Sequence, residues 1–473
     1  MLDQVVRAAA TRFGDRPFLI RGEEELTYLE LDQRSDQVAR AWHHRGLGQG
    51  AVVAITRRSD AGYLVAVAAA SKLGAIVAGV NPSLTDPERA PLLDLVGASL
   101  VIDDDDLATR LGGALPDLAI DPHRVSTIVF TSGTTGRPKA AWFTNAQLDA
   151  IRRIDLGPRA EDWDGGGPML ASTQFAHIGV STKLSWYLRS GATMVRVDPW
   201  RADAVWDAVA SRRITTIGGV APQLALLLRS PRLEEVDLSC VTSIVMGGAL
   251  SSPALVEEAR TRLAAGYSIR YSSTESGGVG LTTDPGADDD EVLHTIGRPR
   301  PGVKARIVDP ATGVECCTDQ VGELCLRSAA QMVGYWANPE ATSQAIRDGW
   351  LHTGDLAVRD SQGRYRLAGR ISEQYVRGGY NVAPAEVEAV LATHPKVAQV
   401  GVAARLDDVM GEIGVAVVVP RDPAHPPTLE ELRDGAKDRL ASWKLPEALV
   451  IIAEIPLTSM HKVDRATLSS LAR

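Results

Sequence analysis

Runs of continuous apolar residues alternate with amphipathic stretches along most of the chain. Residues 1 to about 20 carry Val5, Val6, Ala9 and Ala10 at helical spacing and predict a helix. The remaining elements of this first part are a strand, turn and helix at 26–47, a strand at 51–56, a helix at 62–73, and strands at 74–82 and 99–102. Continuous apolar strands separated by helices favour parallel sheets covered by helices on both faces.

The same alternation continues beyond residue 125. The run VSTIVF at 125–130 predicts a buried strand, and Thr144 with Gln147 fits a capping box that opens a helix through Ile154. Further strands at 192–197, 215–220 and 243–248 alternate with helices at 202–211 and from 251, where Pro253 suits the first helical turn. Segments 303–309, 321–327 and 363–367 alternate polar and apolar residues and predict a smaller β-rich subdomain.

The pattern changes near Gly369 and Arg370. The last hundred residues predict a helix at 384–394, strands at 399–404 and 413–420, and a helix at 429–443. We therefore predict an α/β protein with a large amino-terminal domain at 1–370 and a small α+β carboxy-terminal domain at 371–473.

Composition narrows the choice of function. A chain of 473 residues exceeds one hydrophobic core, and its net charge of −9 argues against a nucleic-acid partner. Its four cysteines form neither a disulfide scaffold nor a paired zinc motif, which favours the reduced cytoplasm (Cys240, Cys316, Cys317 and Cys325). No secretory leader and no transmembrane run is recognisable, so we expect a soluble protein.

The most informative segment is TSGTTGRPK at 131–139, directly after the strand predicted at 125–130. Its glycines, hydroxyl side chains and backbone N–H groups suit a loop around anionic oxygens, and Lys139 adds a mobile positive charge. Gly133 and Gly136 stand three apart, which excludes the P-loop spacing of common nucleotide triphosphatases. The alternative is a plain solvated turn between a strand and a helix.

This segment resembles the phosphate loop of the adenylate-forming superfamily, which includes acyl- and aryl-CoA ligases, peptide-synthetase adenylation domains and luciferases. The resemblance extends over residues 26–465. It implies a large amino-terminal domain, a small mobile carboxy-terminal domain, and ATP with Mg²⁺ as cofactors. It assigns the loop to ATP binding through Thr131, Ser132, Gly133, Thr134, Thr135, Gly136 and Lys139.

The segment YSSTES at 271–276 resembles the family's YGxTE motif. The resemblance implies that Tyr271 stacks on adenine, Thr274 contacts a phosphate oxygen and Glu275 binds Mg²⁺. One carboxylate suffices, because Mg²⁺ takes its other ligands from phosphates and water. A solvated glutamate is the alternative for Glu275. The same comparison adds further ATP-binding positions, namely Gly248, Ala249, Arg270 and Ser272, the last standing where the family usually has glycine.

Two further motifs complete the nucleotide site. GWLHTGD at 349–355 implies that Asp355 accepts hydrogen bonds from both ribose hydroxyls, with Arg370 reaching ribose or phosphate; a surface salt bridge is the alternative. IPLTSMHKVDR near the end implies that Lys462 is a catalytic cation at the carboxylate and α-phosphate, although His461 replaces a usual glycine. GYWANPEAT at 334–342 resembles the acyl-CoA ligase branch.

The acid and thiol sites are less defined. FAHIGVS at 175–181 implies that His177 is a wall or gate near the acid, although a core histidine fits equally. The other positions implied for the acid are Gly179, Gly248, Gly277 and Gly278. No acidic residue lies between Thr173 and Lys183 to bind an α-ammonium, so we favour a non-amino acid. Gly378 and Gly379 imply room for a pantetheine arm, or a simple turn, and Ser372 marks the hinge.

The sequence thus predicts a ligase that joins a carboxylic acid to AMP and then to the thiol of CoA, with Lys462, Glu275, Thr274 and Lys139 as its catalytic residues. A carrier protein could replace CoA; because the sequence ends at Arg473 we expect it to be a separate chain. A different hypothesis is a non-catalytic sensor of nucleotide or acyl-adenylate, suggested by Ser272, Ser372 and His461. We expect a monomer or homodimer; the identity of the acid stays open.

Overall fold

The protein folds into two compact units, each built from more than one segment of the chain. In this computed structural model the first unit consists of Met1–Ala305 with Leu326–His352, and the second of Arg306–Cys325 with Thr353–Arg473. The structure describes residues 1–103, 113–131, 138–248, 251–457 and 463–473. Helices alternate with parallel strands, so the predicted α/β class is confirmed. The domain boundary at Arg370 stays a prediction.

Most helices follow a strand in the chain. They are α1 (Leu2–Phe13), α2 (Tyr28–His44), α3 (Ala61–Lys72), α4 (Asp86–Val96), α5 (Asn145–Leu156), α6 (Ile178–Ser181), α7 (Leu184–Ser190), α8 (Ala202–Arg212), α9 (Ala221–Arg229), α10 (Pro253–Leu263), α11 (Asp289–His294), α12 (Pro339–Ala345), α13 (Pro384–Leu391), α14 (Leu429–Ala436) and α15 (Arg465–Leu471). None of the described helices combines the length and apolar character needed to cross a bilayer.

The strands before Asp309 are β1 (Pro17–Arg21), β2 (Glu24–Thr27), β3 (Val52–Ile55), β4 (Ile76–Gly79), β5 (Leu100–Ile102), β6 (Val125–Thr131), β7 (Lys139–Thr144), β8 (Pro168–Leu170), β9 (Thr193–Arg196), β10 (Thr216–Gly219), β11 (Ser243–Gly247), β12 (Gly266–Tyr271), β13 (Leu281–Thr282), β14 (Arg298–Pro299) and β15 (Val303–Val308). The later strands are β16 (Gly322–Ser328), β17 (Gly334–Tyr335), β18 (Ile346–Arg347), β19 (Trp350–Arg359), β20 (Tyr365–Arg370), β21 (Tyr375–Arg377), β22 (Tyr380–Val382), β23 (Val397–Asp407), β24 (Gly411–Pro420) and β25 (Ala448–Ile451).

One sheet of the first unit has the order β17-β7-β6-β4-β3-β5. Strands β6, β4, β3 and β5 run parallel, and β7 returns antiparallel beside β6. All residues of β3 and β4 are buried, as their uninterrupted apolar sequences predict. Helix α3 is buried along nearly its whole length, and its run of alanines suits this crowded position.

A second sheet of this unit has the order β10-β11-β12-β13-β14, with β10, β11 and β12 parallel. Gly247 at the end of β11 is paired with Arg270 near the end of β12. The carboxyl ends of parallel strands meet at one edge of a sheet, which is where ligands of α/β proteins commonly bind. This register therefore brings Gly247, Arg270 and Tyr271 to one candidate binding edge.

The second unit contains an antiparallel sheet in the order β22-β21-β24-β23, and β25 pairs with β24 in parallel. Helices α13 and α14 pack on one core with Val402 and Val418, and α15 packs on another with Val415. The predicted small α+β arrangement in the last hundred residues is present.

Several predicted elements were wrong in extent. The helix expected to about residue 20 ends at Phe13, because Phe18, Leu19 and Ile20 form the buried centre of β1. The helix expected over 429–443 ends at Ala436. The pattern also missed α4, which has Pro91 inside it, and the short elements β25 and α15.

A buried lysine connects α2 and α3. Nζ of Lys72, whose side chain is 0% exposed, lies 2.5 Å from carboxylate oxygens of both Asp32 and Asp36. We expect Lys72→Met to lower the free energy of unfolding by about 3 kcal/mol, since it leaves two carboxylates without their shared cation. Urea unfolding measures this. Arg40→Met, which removes a more exposed partner of Asp36, is the control and should cost under about 1 kcal/mol. Equal losses in the two variants would contradict the assignment.

Candidate active site

The ends of the predicted phosphate loop are held together by a hairpin. Thr131, the last residue of β6, is the direct partner of Lys139, the first residue of β7. Residues 132–137, and with them Ser132, Gly133, Thr134, Thr135 and Gly136, lie outside the described part of the chain. The sequence placed the loop between a strand and a helix; a strand instead follows it, and α5 begins only at Asn145.

Lys139 and Glu275 are connected through one tyrosine. Nζ of Lys139 lies 5.0 Å from the centre of the Tyr335 ring, a cation–π distance. The Tyr335 hydroxyl donates a hydrogen bond of 2.8 Å to Oε1 of Glu275. Burial raises the pKa of Tyr335, and the neighbouring Glu275 raises it further, so the hydroxyl stays a donor. Sequence reasoning assigned no role to Tyr335, although it stands in the motif GYWANPEAT.

The segment around Glu275 is a compact turn. Ser273 and Ser276 bond to one another in both directions, backbone N–H to hydroxyl, and the carbonyl of Thr274 accepts from the N–H of Gly277. Gly277 has a φ of 77°, and a β-carbon there would collide with the carbonyl oxygen of Ala330. Glycine is therefore required at this position.

Ser272 fits its position without strain. The non-glycine residues with positive φ in the described chain are Arg213, Ala264, Asp319, Ala337 and Asp348. Ser272 is not among them, so replacing the family's usual glycine carries no conformational cost here.

The Glu275 carboxylate suits a Mg²⁺ ligand. It is half-buried, its Oε1 is fixed by Tyr335, and no hydrogen-bond partner of Oε2 is found within the described residues. Mg²⁺ prefers carboxylate oxygens, and the hydrogen bond from Tyr335 fixes the orientation of this one. A Mg²⁺ ion held there would offset the negative charge of bound phosphates.

The described positions predicted to contact the nucleoside base, Gly248 and Tyr271, lie at the ends of β11 and β12. Gly248 follows β11 with a φ of 73°, and Tyr271 ends β12 half-buried. Their backbones can therefore approach a flat ligand closely. Ala249 lies outside the described residues, and stacking of Tyr271 on adenine stays a prediction.

His177 caps the short helix α6. Its Nδ1 accepts a hydrogen bond of 3.2 Å from the N–H of Gly179, whose carbonyl in turn accepts from the Tyr187 hydroxyl at 3.0 Å. His177 thus has a structural task. Its predicted part as a wall of the acid pocket stays a prediction.

A buried charge cluster borders Gly278. Asp155 forms ion pairs with Lys183 and Arg300, and Nζ of Lys183 also donates to the carbonyl of Gly278 at 3.3 Å. Burial opposes the charge on Asp155, but the two cations outweigh it and hold its pKa below the usual value. Burial lowers the pKa of Lys183. Sequence reasoning assigned no role to any of these three residues, because the contacts join positions far apart in the chain.

The second unit contains the remaining described candidates. Nε of Arg370 lies 2.7 Å from Oδ1 of Asp355, and the two residues face one another across β19 and β20. The predicted ribose ligands are thus neighbours. Ser372 is exposed in a single helical turn at Ile371–Glu373. Its hinge role stays a prediction.

Gly378 and Gly379 form the two-residue turn between β21 and β22, with φ of 55° and 86°. Positive φ at both central positions is typical of a tight hairpin, so the turn alternative accounts for the glycines, and a pantetheine contact stays a prediction. Lys462 and His461 lie outside the described residues. The segment that contains them is flanked by an isolated bridge between Leu457 and Val463.

In the first unit, Lys139 at the glycine-rich loop and the oriented carboxylate of Glu275 are a cation and a candidate metal ligand of the kind that a nucleoside triphosphate site requires. In the second unit, Asp355 and Arg370 form an ion pair. The fold adds parallel sheets in the first unit and a small α+β second unit, which is the architecture expected for adenylate-forming enzymes.

Comparison with known proteins identifies the family. The model of the AMP-binding enzyme family matches residues 6–118 and 109–336, and that of its C-terminal domain matches residues 386–462. The chain belongs to this family. It is an AMP-forming acid–thiol ligase that uses ATP, Mg²⁺ and a thiol acceptor, either CoA or the phosphopantetheine of a carrier protein.

Relatives of this chain are themselves acid–thiol ligases. Indoleacetate–CoA ligase of Aromatoleum aromaticum is 30% identical, over 94% of this chain and 92% of its own. The fatty acid–[acyl-carrier-protein] ligase ScoC of Streptomyces coeruleorubidus is also 30% identical, over 94% and 91%. The structure of o-succinylbenzoate CoA synthetase (MenE) from Bacillus subtilis with ATP and magnesium has a TM-score of 0.85 at 26% identity, covering 98% of each chain.

We expect Tyr335→Phe to raise the Mg²⁺ concentration needed for half-maximal activity and to lower kcat/KM by about tenfold, because Glu275 loses a hydrogen bond to its charged oxygen. Acid-dependent pyrophosphate release at varied Mg²⁺ measures both. Tyr380→Phe removes an exposed hydroxyl in the second unit and should change neither value. An unchanged Mg²⁺ requirement in Tyr335→Phe would contradict the proposed orientation of Glu275.

The Asp155 cluster makes stability depend on pH. Because the folded pKa of Asp155 lies below its unfolded value, its contribution is present above about pH 4 and is lost as pH falls. Asp155→Asn should therefore cost about 3 kcal/mol of unfolding free energy at neutral pH and progressively less below about pH 4. Urea unfolding across pH measures this. Asp289→Asn, in an exposed pair with Arg260, should stay within about 1 kcal/mol throughout. A cost for Asp155→Asn that does not vary with pH would refute the assignment.

Proposed function

We propose that this enzyme activates a non-amino carboxylic acid as acyl-AMP and transfers the acyl group to CoA. The observation that carries the proposal is the Lys139, Tyr335 and Glu275 constellation at the mouth of the phosphate loop. In this proposal Thr131, Lys139 and Thr274 hold the triphosphate, Glu275 holds Mg²⁺, and the acid attacks the α-phosphorus while pyrophosphate leaves.

The second unit supplies the other catalytic groups in this proposal. Asp355 and Arg370 bind the ribose, and the ammonium of Lys462 offsets the charge that accumulates at the reacting oxygens. Displacement of AMP by the thiol then completes the reaction. The tight turn at Gly378 and Gly379 provides backbone without side chains for the pantetheine arm.

The choice of a non-amino acid rests on charge. No acidic residue lies between Thr173 and Lys183, and the nearby Asp155 is already paired with Lys183 and Arg300. An α-ammonium group would meet no available carboxylate there. The relatives named above act on indoleacetate and on fatty acids, which are non-amino acids.

A carrier protein is the second candidate for the acyl acceptor. ScoC acts on an acyl carrier protein, and its identity to this chain equals that of the indoleacetate–CoA ligase. Thioester formation assayed with CoA and with a separate phosphopantetheinyl carrier decides between them; we expect CoA to be the better acceptor. The sensor hypothesis loses one of its reasons, because Ser272 has ordinary backbone geometry.

The test of the proposed mechanism is Lys462→Ala. We expect adenylation, measured as acid-dependent exchange of pyrophosphate into ATP, to fall by about 100-fold or more, as when one charge-stabilising group is lost. Thioester formation from synthetic acyl-AMP should fall much less. Lys437→Ala, which removes an exposed lysine directly after α14, is the control and should leave both steps unchanged.

Two outcomes would contradict this proposal. Adenylation that survives Lys462→Ala would remove the lysine from the mechanism. Absence of exchange with every acid tested, from protein that is folded by circular dichroism, would favour the non-catalytic sensor.

A further inference from the structure

The Asp155 cluster contains more positive than negative charge. Asp155 forms ion pairs with both Lys183 and Arg300, and Oδ1 of Asp155 lies 2.5 Å from Nη1 of Arg300. The side chains of Asp155, Lys183 and Arg300 are only 6%, 11% and 12% exposed, respectively. A carboxylate that already accepts from two cations has little capacity left for a third. Arg270 is that third cation.

Arg270 has no hydrogen-bond or ion-pair partner for its guanidinium within the described part of the chain. The residue is exposed to solvent, yet enough protein surrounds it for desolvation to lower its pKa. Asp155 opposes that shift and Arg300 adds to it, so these charges lie within interaction range. Its guanidinium is thus a positive charge that no described side chain pairs with, close enough to Asp155 and Arg300 to interact with them.

The side chain of Arg270 lies on the face of β12 opposite to that of Tyr271, the residue expected to stack on adenine. Successive side chains of a strand face opposite sides, so Arg270 and Tyr271 at the end of β12 serve different sides of the sheet. The charges that influence Arg270 border the glycines expected beside the acid: Lys183 donates to the carbonyl of Gly278. Arg270 is therefore within electrostatic range of the charges beside Gly278, a position expected to border the acid, although its sequence neighbours suggested a nucleotide contact.

We propose that Arg270 binds a second anionic group on the acid substrate, so that this ligase prefers dicarboxylic acids to monocarboxylic acids of the same size. A guanidinium presents paired N–H donors that match the two oxygens of a carboxylate. The carboxylate of the ligand provides the negative charge for Arg270 that Asp155, already paired with Lys183 and Arg300, does not provide. This inference rests on the proposed function, since it names the substrate class of the same site.

The test uses acids that differ only in replacement of the distal carboxylate by methyl. One series contains straight-chain dicarboxylates from succinate to octanedioate with their methyl-terminated counterparts, and another pairs benzene-1,4-dicarboxylate with 4-methylbenzoate. We expect the wild-type enzyme to prefer at least one dicarboxylate to its counterpart by about tenfold or more in kcat/KM. Arg270→Gln should lower kcat/KM for that dicarboxylate by about 10- to 100-fold, the range for a hydrogen bond to a charged group.

Other parameters should stay constant. In Arg270→Gln the KM for ATP and the kcat/KM for the methyl counterpart should change by less than about threefold. Arg270→Lys should recover part of the preference, because the charge remains while the paired donors are lost. Arg260→Gln, in an exposed pair with Asp289, is the matched control and should behave as wild type.

Three outcomes would overturn the inference. A wild-type preference for every methyl counterpart excludes a second anion. A raised KM for ATP in Arg270→Gln assigns the guanidinium to a nucleotide phosphate. Equal losses for both members of a pair assign it to the reacting carboxylate.

Calorimetric binding of the same acids without ATP separates this inference from the proposed function. Dicarboxylate binding that Arg270→Gln abolishes, in a protein that activates no acid, supports the anion site and refutes the ligase activity. Activation of acids without any dicarboxylate preference supports the activity and refutes the anion site. Absence of both binding and activation refutes both.

Discussion

The side chain of Tyr335 keeps two opposite charges close together without letting them pair. Lys139 faces its ring at 5.0 Å, and Glu275 accepts its hydroxyl proton at 2.8 Å. In direct contact, the ammonium and the carboxylate would neutralise one another. With an aromatic ring between them, the ammonium remains available for phosphate oxygens and the carboxylate for a metal ion. No ion-pair partner of Lys139 is found in the described residues, which is consistent with this separation.

Near the residues expected to bind the acid, opposite charges are instead in direct contact. Asp155 is in direct contact with Lys183 and Arg300, so these charges are used within the protein and fix the surroundings of Gly278. Arg270 is left outside that arrangement. In the first region Tyr335 thus keeps Lys139 and Glu275 apart. In the second, Asp155 is paired with two cations, and Arg270 has no partner within the described residues. A positive charge in each region would suit the anionic triphosphate and acid that the proposed function assigns to them.

The sequence predicted those parts of the molecule that depend on local pattern. Continuous apolar runs identified β3, β4 and β6, and motif similarity singled out Glu275 and Asp355 as candidates. It failed where a property depends on distant residues. Strand β7 exists because 139–144 pair with β6, and the role of Tyr335 depends on a carboxylate sixty positions away. That Arg270 has no partner among the described residues follows from contacts among residues 155, 183 and 300, which the chain order does not reveal.

The structure requires glycine at Gly277 but not at Ser272, where the family usually has glycine. A side chain at Ser272 needs no special backbone, whereas one at Gly277 would collide with the carbonyl of Ala330. Immediately beyond that carbonyl, the N–H of Met332 donates to the backbone oxygen of Glu275 at 2.8 Å. The turn that contains Glu275 is thus held by its main chain against residues 330–332 and by the Glu275 side chain against Tyr335. Because both constraints lie after residue 272, serine there leaves the orientation of the Glu275 carboxylate unchanged.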